Sequence, residues 1–178
     1  MVAQPGLAMT PAEAFAADFH RRAPGFALSA ATAADAPFLR RLFLATEAEA
    51  NPLPAALLEM QHESRLFAYA AQFPAADDVI VQRDGAPIGR MMIDWTSPNG
   101  FHAIDLAVLP GQRSGAAGLH LLRAWVGTAD RFSAPATLSV RPGAPVAALY
   151  RRLGFTALDD GETPIRMRRA PLPRLNGA

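Results

Sequence analysis

Residues 106 to 118, LAVLPGQRSGAAG, set an apolar run against a proline and then a short loop of Gly, Arg, Ser and Ala that opens the helical stretch LHLLRAWVGTADRF. Gly and Ala let backbone come close to a ligand, the first N–H groups of a helix have no partner within it, and the macrodipole adds positive potential there. A strand, a small-residue loop and a helix start make an anion cradle, and a phosphorylated ligand is the expected guest. The plain alternative is an ordinary polar strand-to-helix connection. Two nucleotide cradles are excluded. The loop lacks the Gly-Lys-Ser/Thr of a P-loop, and it follows a strand meander, whereas a dinucleotide fingerprint follows the first strand of a βαβ unit. Further along, VAALYRRLGF (146 to 155) carries the phenol of Tyr150 on a short helix; taken alone, it reads as an aromatic packed with Leu149, Leu153 and Phe155.

The elements that must position these residues are legible from spacing. TPAE at 10 to 13 predicts a capped helix to residue 22, with Phe15 and Phe19 one turn apart, ended by Pro24 and Gly25. FALSAAT (26 to 32) reads as a first strand, followed by a helix that Asp35 can cap; Asn51, Pro52 and Pro54 break the chain before a second helix over 53 to 73. A meander of three strands follows, turning at Asp84-Gly85 and at Pro98-Asn99-Gly100 and ending at the opening loop. Then come a helix over 116 to 130, a strand at 136 to 140, a short helix around 145 to 153, and strands near 155 to 159 and 164 to 169. The order is β-αα-βββ-α-β-α-ββ. Residues 1 to 24 form an N-terminal extension with its short helix, 25 to 170 a single domain, and 171 to 178 a flexible tail.

Composition narrows the chemistry. There is no Cys, so disulfides, thiolate metal sites and a Cys nucleophile are excluded, and the four His show no metal-ligand spacing. All 17 basic residues are Arg, which excludes a Schiff-base or P-loop lysine; the bland account of this Ala-rich, Lys-free composition is a bacterial-like, GC-rich coding bias. Net charge is +1 with the arginines dispersed, so neither nucleic acid nor a membrane surface is an expected partner. Apolar runs are too short to span a bilayer, residues 1 to 9 do not read as a signal peptide, and the cytoplasm is the expected location.

The element order and the two motifs resemble the GNAT superfamily of N-acetyltransferases over roughly residues 26 to 169. In that family the phosphate loop reads approximately V-x-P-x-x-R-G-x-G-x-G/A; here Val108, Pro110, Arg113 and Gly118 match, with Ser114 and Ala116 in place of glycines. A second register, Gln112-x-x-Gly115-x-Ala117, satisfies the shorter pattern Q/R-x-x-G-x-G/A. VAALYRRLGF is similar to the signature A-x-x-L-Y-x-x-x-G-F, with Val146 in place of Ala.

The resemblance implies a mixed α/β, α+β-like fold with a central, mostly antiparallel twisted sheet of about seven strands flanked by helices. It implies acetyl-CoA as co-substrate and no metal, with the pyrophosphate on Gln112, Arg113, Ser114, Gly115, Ala116, Ala117 and Gly118. The exposed backbone of Leu106, Ala107 and Val108 would bond the pantetheine amides as an added strand does, with an N–H facing the thioester oxygen. It implies direct attack by a primary amine through a tetrahedral intermediate, with Tyr150 giving its proton to the CoA thiolate. A phenol of pKa ~10 and a thiol of pKa ~8.5 suit that transfer. The family commonly has Asn seven residues before this tyrosine; Gly143 stands there, so one cofactor-facing amide is missing.

For the base, strand alternation sets Asp105 on the face opposite Leu106 and Val108, near the cleft where strands diverge. Its competing reading is a structural carboxylate; Asp94, Glu59 and Glu63 are alternatives, and a water chain can replace them all. His102 and His62 have suitable acidity but are expected to be solvated, and His120 to pack or cap. The acceptor, a small-molecule or protein amine, is expected against residues 35 to 73 and the hairpin at 95 to 100. There Glu47, Glu49, Glu59 and Glu63 either attract a cationic amine or form a solvated face, and Trp95 is either a pocket aromatic or a core residue. A second reading is a module that binds acyl-CoA without turnover, as sensor or scaffold. A third makes Phe15 and Phe19 an oligomerisation face, of a homodimer, unless they cap this chain's own core.

Overall fold

The computed structural model describes residues 8–50, 53–158 and 163–173. Thr10 caps helix α1 (Pro11–Arg22): its hydroxyl accepts from the Glu13 N–H, and the Glu13 carboxylate accepts from the Thr10 N–H at 2.8 Å. This is the reciprocal box that TPAE predicts. Phe15 and Phe19 are buried where α1 packs on α4 (Ala117–Arg131), so the aromatic face closes this chain's own core.

Strand β1 (Phe26–Ala30) is followed by a single 3₁₀ turn (Ala33–Asp35) that runs into α2 (Ala36–Ala50). Asp35 is not the cap. Its carboxylate accepts from the N–H and hydroxyl of Thr32, and Thr32, one turn earlier, is the capping residue. Helix α3 (Ala55–Gln72) starts after Pro54; the expected break at Asn51 and Pro52 lies outside the described residues, as do residues 1 to 7 of the expected N-terminal extension.

The meander forms as expected from β2 (Asp77–Arg83), β3 (Ala86–Asp94) and β4 (Phe101–Val108). Asp84 and Gly85 both take positive φ, 52° and 76°, as a tight hairpin turn requires. With β5 (Ala136–Val140), β6 (Thr156–Ala157) and β7 (Ile165–Arg169) they build one seven-stranded sheet, ordered β1-β2-β3-β4-β5-β7-β6, in which only β4 and β5 are parallel. Short helix α5 (Ala147–Arg152) connects β5 to β6. Strand β6 is shorter than the expected 155 to 159. Phe155 turns into the core and stacks on Trp125 at 5.6 Å, which removes it from the strand, and position 159 lies outside the described residues.

Helices cover both faces. On one, α1 and α4 pack Phe19, Leu121 and Trp125 onto Met91, Ile93 and Leu138; on the other, α2 sets Phe38 and Leu42 on Ile80, with α3 alongside. Buried Arg169 donates to both oxygens of Asp130, at 2.7 and 3.0 Å, and to the Leu153 carbonyl at 2.9 Å, tying β7 to the end of α4 and the turn after α5. Asp130 also accepts from the Leu172 N–H at 2.7 Å, so the first part of the expected flexible tail is pinned; residues 174 to 178 lie outside the described residues. Among the described residues, no helix is long and apolar enough to cross a membrane.

Candidate active site

Strands β4 and β5 pair only through Phe101, His102 and Ala103 with Ala136, Thr137 and Leu138. Beyond those rungs the parallel strands separate. Ile104 is an extra residue in β4, since Met92 opposes Asp105 while Ile93 opposes Ala103, and such a bulge bends its strand. Leu106, Ala107 and Val108 therefore pair with β3 alone and leave their other edge to a cleft. Gly89 permits the close strand approach there: a Cβ on it would lie 2.7 Å from the Ala107 carbonyl oxygen.

After β4, Pro110 opens a 3₁₀ turn over Pro110–Gly115 in place of the open loop expected from sequence, because its fixed φ suits the turn and the Gln112 N–H donates to the Leu109 carbonyl at 2.8 Å. Ala116 follows at φ 56°, ψ 15°. This left-handed conformation is why glycine suits the position, and alanine holds it at a cost of about 1–2 kcal/mol. Helix α4 then begins with no side-chain cap and no acidic residue in its first turn, leaving its N–H groups and dipole open to an anion. Arg113, Ala116 and Gly118 line the cleft, whereas Gln112, Ser114, Gly115 and Ala117 do not; the Ala117 side chain is fully buried in the core. The register built on Arg113, Ala116 and Gly118 is thus the one that faces the cleft.

The cleft continues as a cavity of about 880 Å³ from this loop, along Leu106 to Val108, to Asp105 and Tyr150. Its far wall comes from α2, α3, β3 and the turn after β5, with Phe43, Glu47, His62, Arg65, Arg90 and Arg141. Gly143 does not line it. That residue is an exposed turn glycine at φ 75°, and Arg141, Pro145 and Val146 face the cavity instead.

Asp105 shares a sheet face with Arg90, which holds Asp78 through two bonds of 2.7 and 2.8 Å and reaches Asp105 by one of 3.2 Å. Burial raises the Asp105 carboxyl above the ordinary aspartate value, and this single longer contact offsets it only in part. Burial also raises the Tyr150 phenol, and the negative charge of Asp105 pushes it the same way. The cavity therefore presents a protonated phenol at neutral pH and a carboxyl group that holds its proton more tightly than in water.

Other sequence candidates sort by placement. Glu47 is buried on the cavity wall and Glu49 lines its rim, paired with Arg113 at 2.5 Å. Glu59 pairs with Arg40, Glu63 is exposed, and neither lines the cavity. Asp94 is occupied by its own turn, accepting from the Thr96 N–H and hydroxyl. His62 and His102 are not solvated as expected. His62 packs on Phe43 and His102 stacks on Phe73 with Nδ1 3.0 Å from the Thr137 hydroxyl, and burial lowers both pKa values. His120 packs by Phe26. Trp95 is a core residue between Phe15 and Phe101, its N–H donating to Asp77 at 2.7 Å, and the hairpin residues Ser97, Pro98 and Asn99 line a separate, smaller cavity. Sequence reasoning missed Arg65, Arg90 and Arg141. For Arg90 a signal existed, a lone charge inside the apolar run PIGRMMI.

No protein-family model matches the chain, and no curated protein matches it by sequence. Solved structures do. An N-acetyltransferase, PaiA, from Thermoplasma acidophilum in complex with coenzyme A aligns at TM-score 0.64 and 14% identity over 82% of this chain and 98% of that one. A ribosomal-protein alanine N-acetyltransferase from Escherichia coli aligns at 0.58 and 18%, over 86% and 99%. An acetyltransferase of the GNAT family from Staphylococcus aureus aligns at 0.60 and 13%, over 82% and 98%. At these identities the likeness is one of architecture, and it agrees with the splayed β4–β5 cleft and the uncapped start of α4: the chain has the fold of the GNAT N-acetyltransferases.

Proposed function

We propose that the chain is an acetyl-CoA-dependent N-acetyltransferase acting on a primary amine, carried by a small molecule or a protein. The observation that carries this reading is the placement of Tyr150 and Asp105 on one cavity whose other end is an uncapped helix start. The residues fit the co-substrate along its length. Arg113 and the first N–H groups of α4 suit the pyrophosphate, the free edge of Leu106 to Val108 suits the pantetheine amides, and Tyr150 stands at the thioester end. Coenzyme A in the Thermoplasma relative supports the assignment.

Acetyl-CoA, when bound, supplies an activated acyl thioester. Asp105 accepts the proton of the attacking amine, and the β4 backbone N–H groups stabilise negative charge on the acyl oxygen. Tyr150 donates its proton to the departing sulfur. One N–C bond forms and one C–S bond breaks, and the two protons balance through Asp105 and Tyr150. A module that only bound acyl-CoA would need neither residue. Calorimetry with acetyl-CoA, CoA, ATP and NADH, followed by an amine-panel assay reading thiol release, tests the reading. Tight acetyl-CoA binding with amine-dependent thiol release is expected; preference for ATP or NADH would overturn it.

A further inference from the structure

Around Glu47, on the far wall of the cavity, two cations share one anion. Arg65, from α3, and Arg141, from the turn after β5, both donate to the same oxygen of Glu47, Oε1, at 3.2 and 2.5 Å. Glu47 is buried, and the Arg65 guanidinium is held over the Phe43 ring, 4.7 Å from its centre. The other two guanidiniums on the cavity have anions of their own. Arg90 holds Asp78 and reaches Asp105, and Arg113 pairs with Glu49 at the phosphate end. His62 is buried and adds no charge at neutral pH. One buried carboxylate between two partly exposed guanidiniums leaves this trio with one positive charge in excess, reached from the open cavity. Guanidinium forks match carboxylates in paired hydrogen bonds, so the excess has a chemical preference as well as a sign.

We propose that the acceptor is an amine that also bears a carboxylate, a molecule of the amino-acid type. Its carboxylate is held by the guanidiniums of Arg65 and Arg141 beside Glu47, while its amine is presented to Asp105. The inference rests on the N-acetyltransferase reading above and narrows it from primary amines to carboxylated ones.

The test compares free amino acids with their C-terminal amides and with the matching decarboxylated amines, using thiol release with wild type, Arg65→Gln and Arg141→Gln. Free amino acids should have kcat/KM roughly ten-fold or more above their amides, the worth of about one charge-assisted hydrogen bond. Each variant should raise KM for the amino acid by about the same factor, leave the amide's KM nearly unchanged, and bind acetyl-CoA as wild type does. Arg141→Lys, which keeps the charge but loses the fork, should recover part of the loss. Amides or simple amines used as well as amino acids by wild type would overturn the proposal, as would variants that weaken acetyl-CoA binding, which would assign the pair to the cofactor. If no amine is turned over, the catalytic reading fails by itself. Calorimetry of amino acid against amide on CoA-saturated protein then decides the acceptor: selective binding of the amino acid upholds it, and equal or absent binding sinks it.

Discussion

Tyr150 titrates in the field of Asp105: burial first, and then the negative charge of that carboxylate on the shared cavity, hold its phenol protonated above the ordinary tyrosine range. The group proposed as acid is thereby kept loaded by the group proposed as base. Tyr150→Phe should lower kcat by roughly 10²–10⁴-fold while acetyl-CoA affinity stays within about two-fold of wild type. Thiol release and calorimetry measure the two sides, and unchanged turnover would remove Tyr150 as the acid.

Asp105→Asn gives a pH-resolved test. If Asp105 is the base, wild-type kcat/KM falls as pH drops through its raised pKa, on a limb higher than free aspartate would give, and the variant loses both rate and limb. Stability should move the other way. A carboxyl whose folded pKa is raised binds its proton more tightly folded than unfolded. Its ionised form therefore costs stability above the folded pKa and nothing below the unfolded one. Arg90 keeps both bonds to Asp78, so Asp105→Asn should raise Tm at neutral pH and leave it unchanged near pH ~3.

Ala116 holds a left-handed backbone that glycine adopts without a Cβ penalty. Ala116→Gly should stabilise the protein by about 0.5–1 kcal/mol in urea unfolding, the relieved strain less the added freedom of the unfolded chain, with acetyl-CoA affinity kept or improved. Destabilisation would contradict the conformation assigned to this residue.

Glu49 occupies Arg113 at the end of the cavity where a phosphate would bind. The pair is half-exposed and adds little to stability, yet the carboxylate competes with an incoming anion. Glu49→Ala should tighten acetyl-CoA binding by roughly two- to five-fold at low salt, with the gain shrinking as salt screens the competition. Weaker binding in the variant would show that Glu49 helps form the site.

The features legible in the sequence were those carried by neighbours along the chain. The capping box at Thr10, the turn at Asp84-Gly85 and the helix expected over 116 to 130 rest on residues within a turn or two of one another; the first two formed where their patterns put them, and the helix formed one residue later, at Ala117–Arg131. Tyr150 and the small-residue loop were legible because motif spacing marks them. The errors fell where burial outranks pattern. His62 and His102 look polar in sequence and are packed against aromatic rings, and Trp95 beside a turn belongs to the core.

By itself, then, the sequence determined the order of elements, the strand-loop-helix cradle and a tyrosine on a short helix after the fifth strand, because hydrophobic period, turn residues and caps act locally. Tertiary structure alone decided which register of the loop faces the cleft and that Asp105 lies beside Arg90. It also joined Glu47 to Arg141, 94 positions apart, and so set two guanidiniums on one carboxylate at the cavity wall. Those are long-range electrostatic facts. They depend on which side chains the bulge in β4 and the separation of β4 from β5 bring into one low-dielectric space, and no local pattern encodes that meeting.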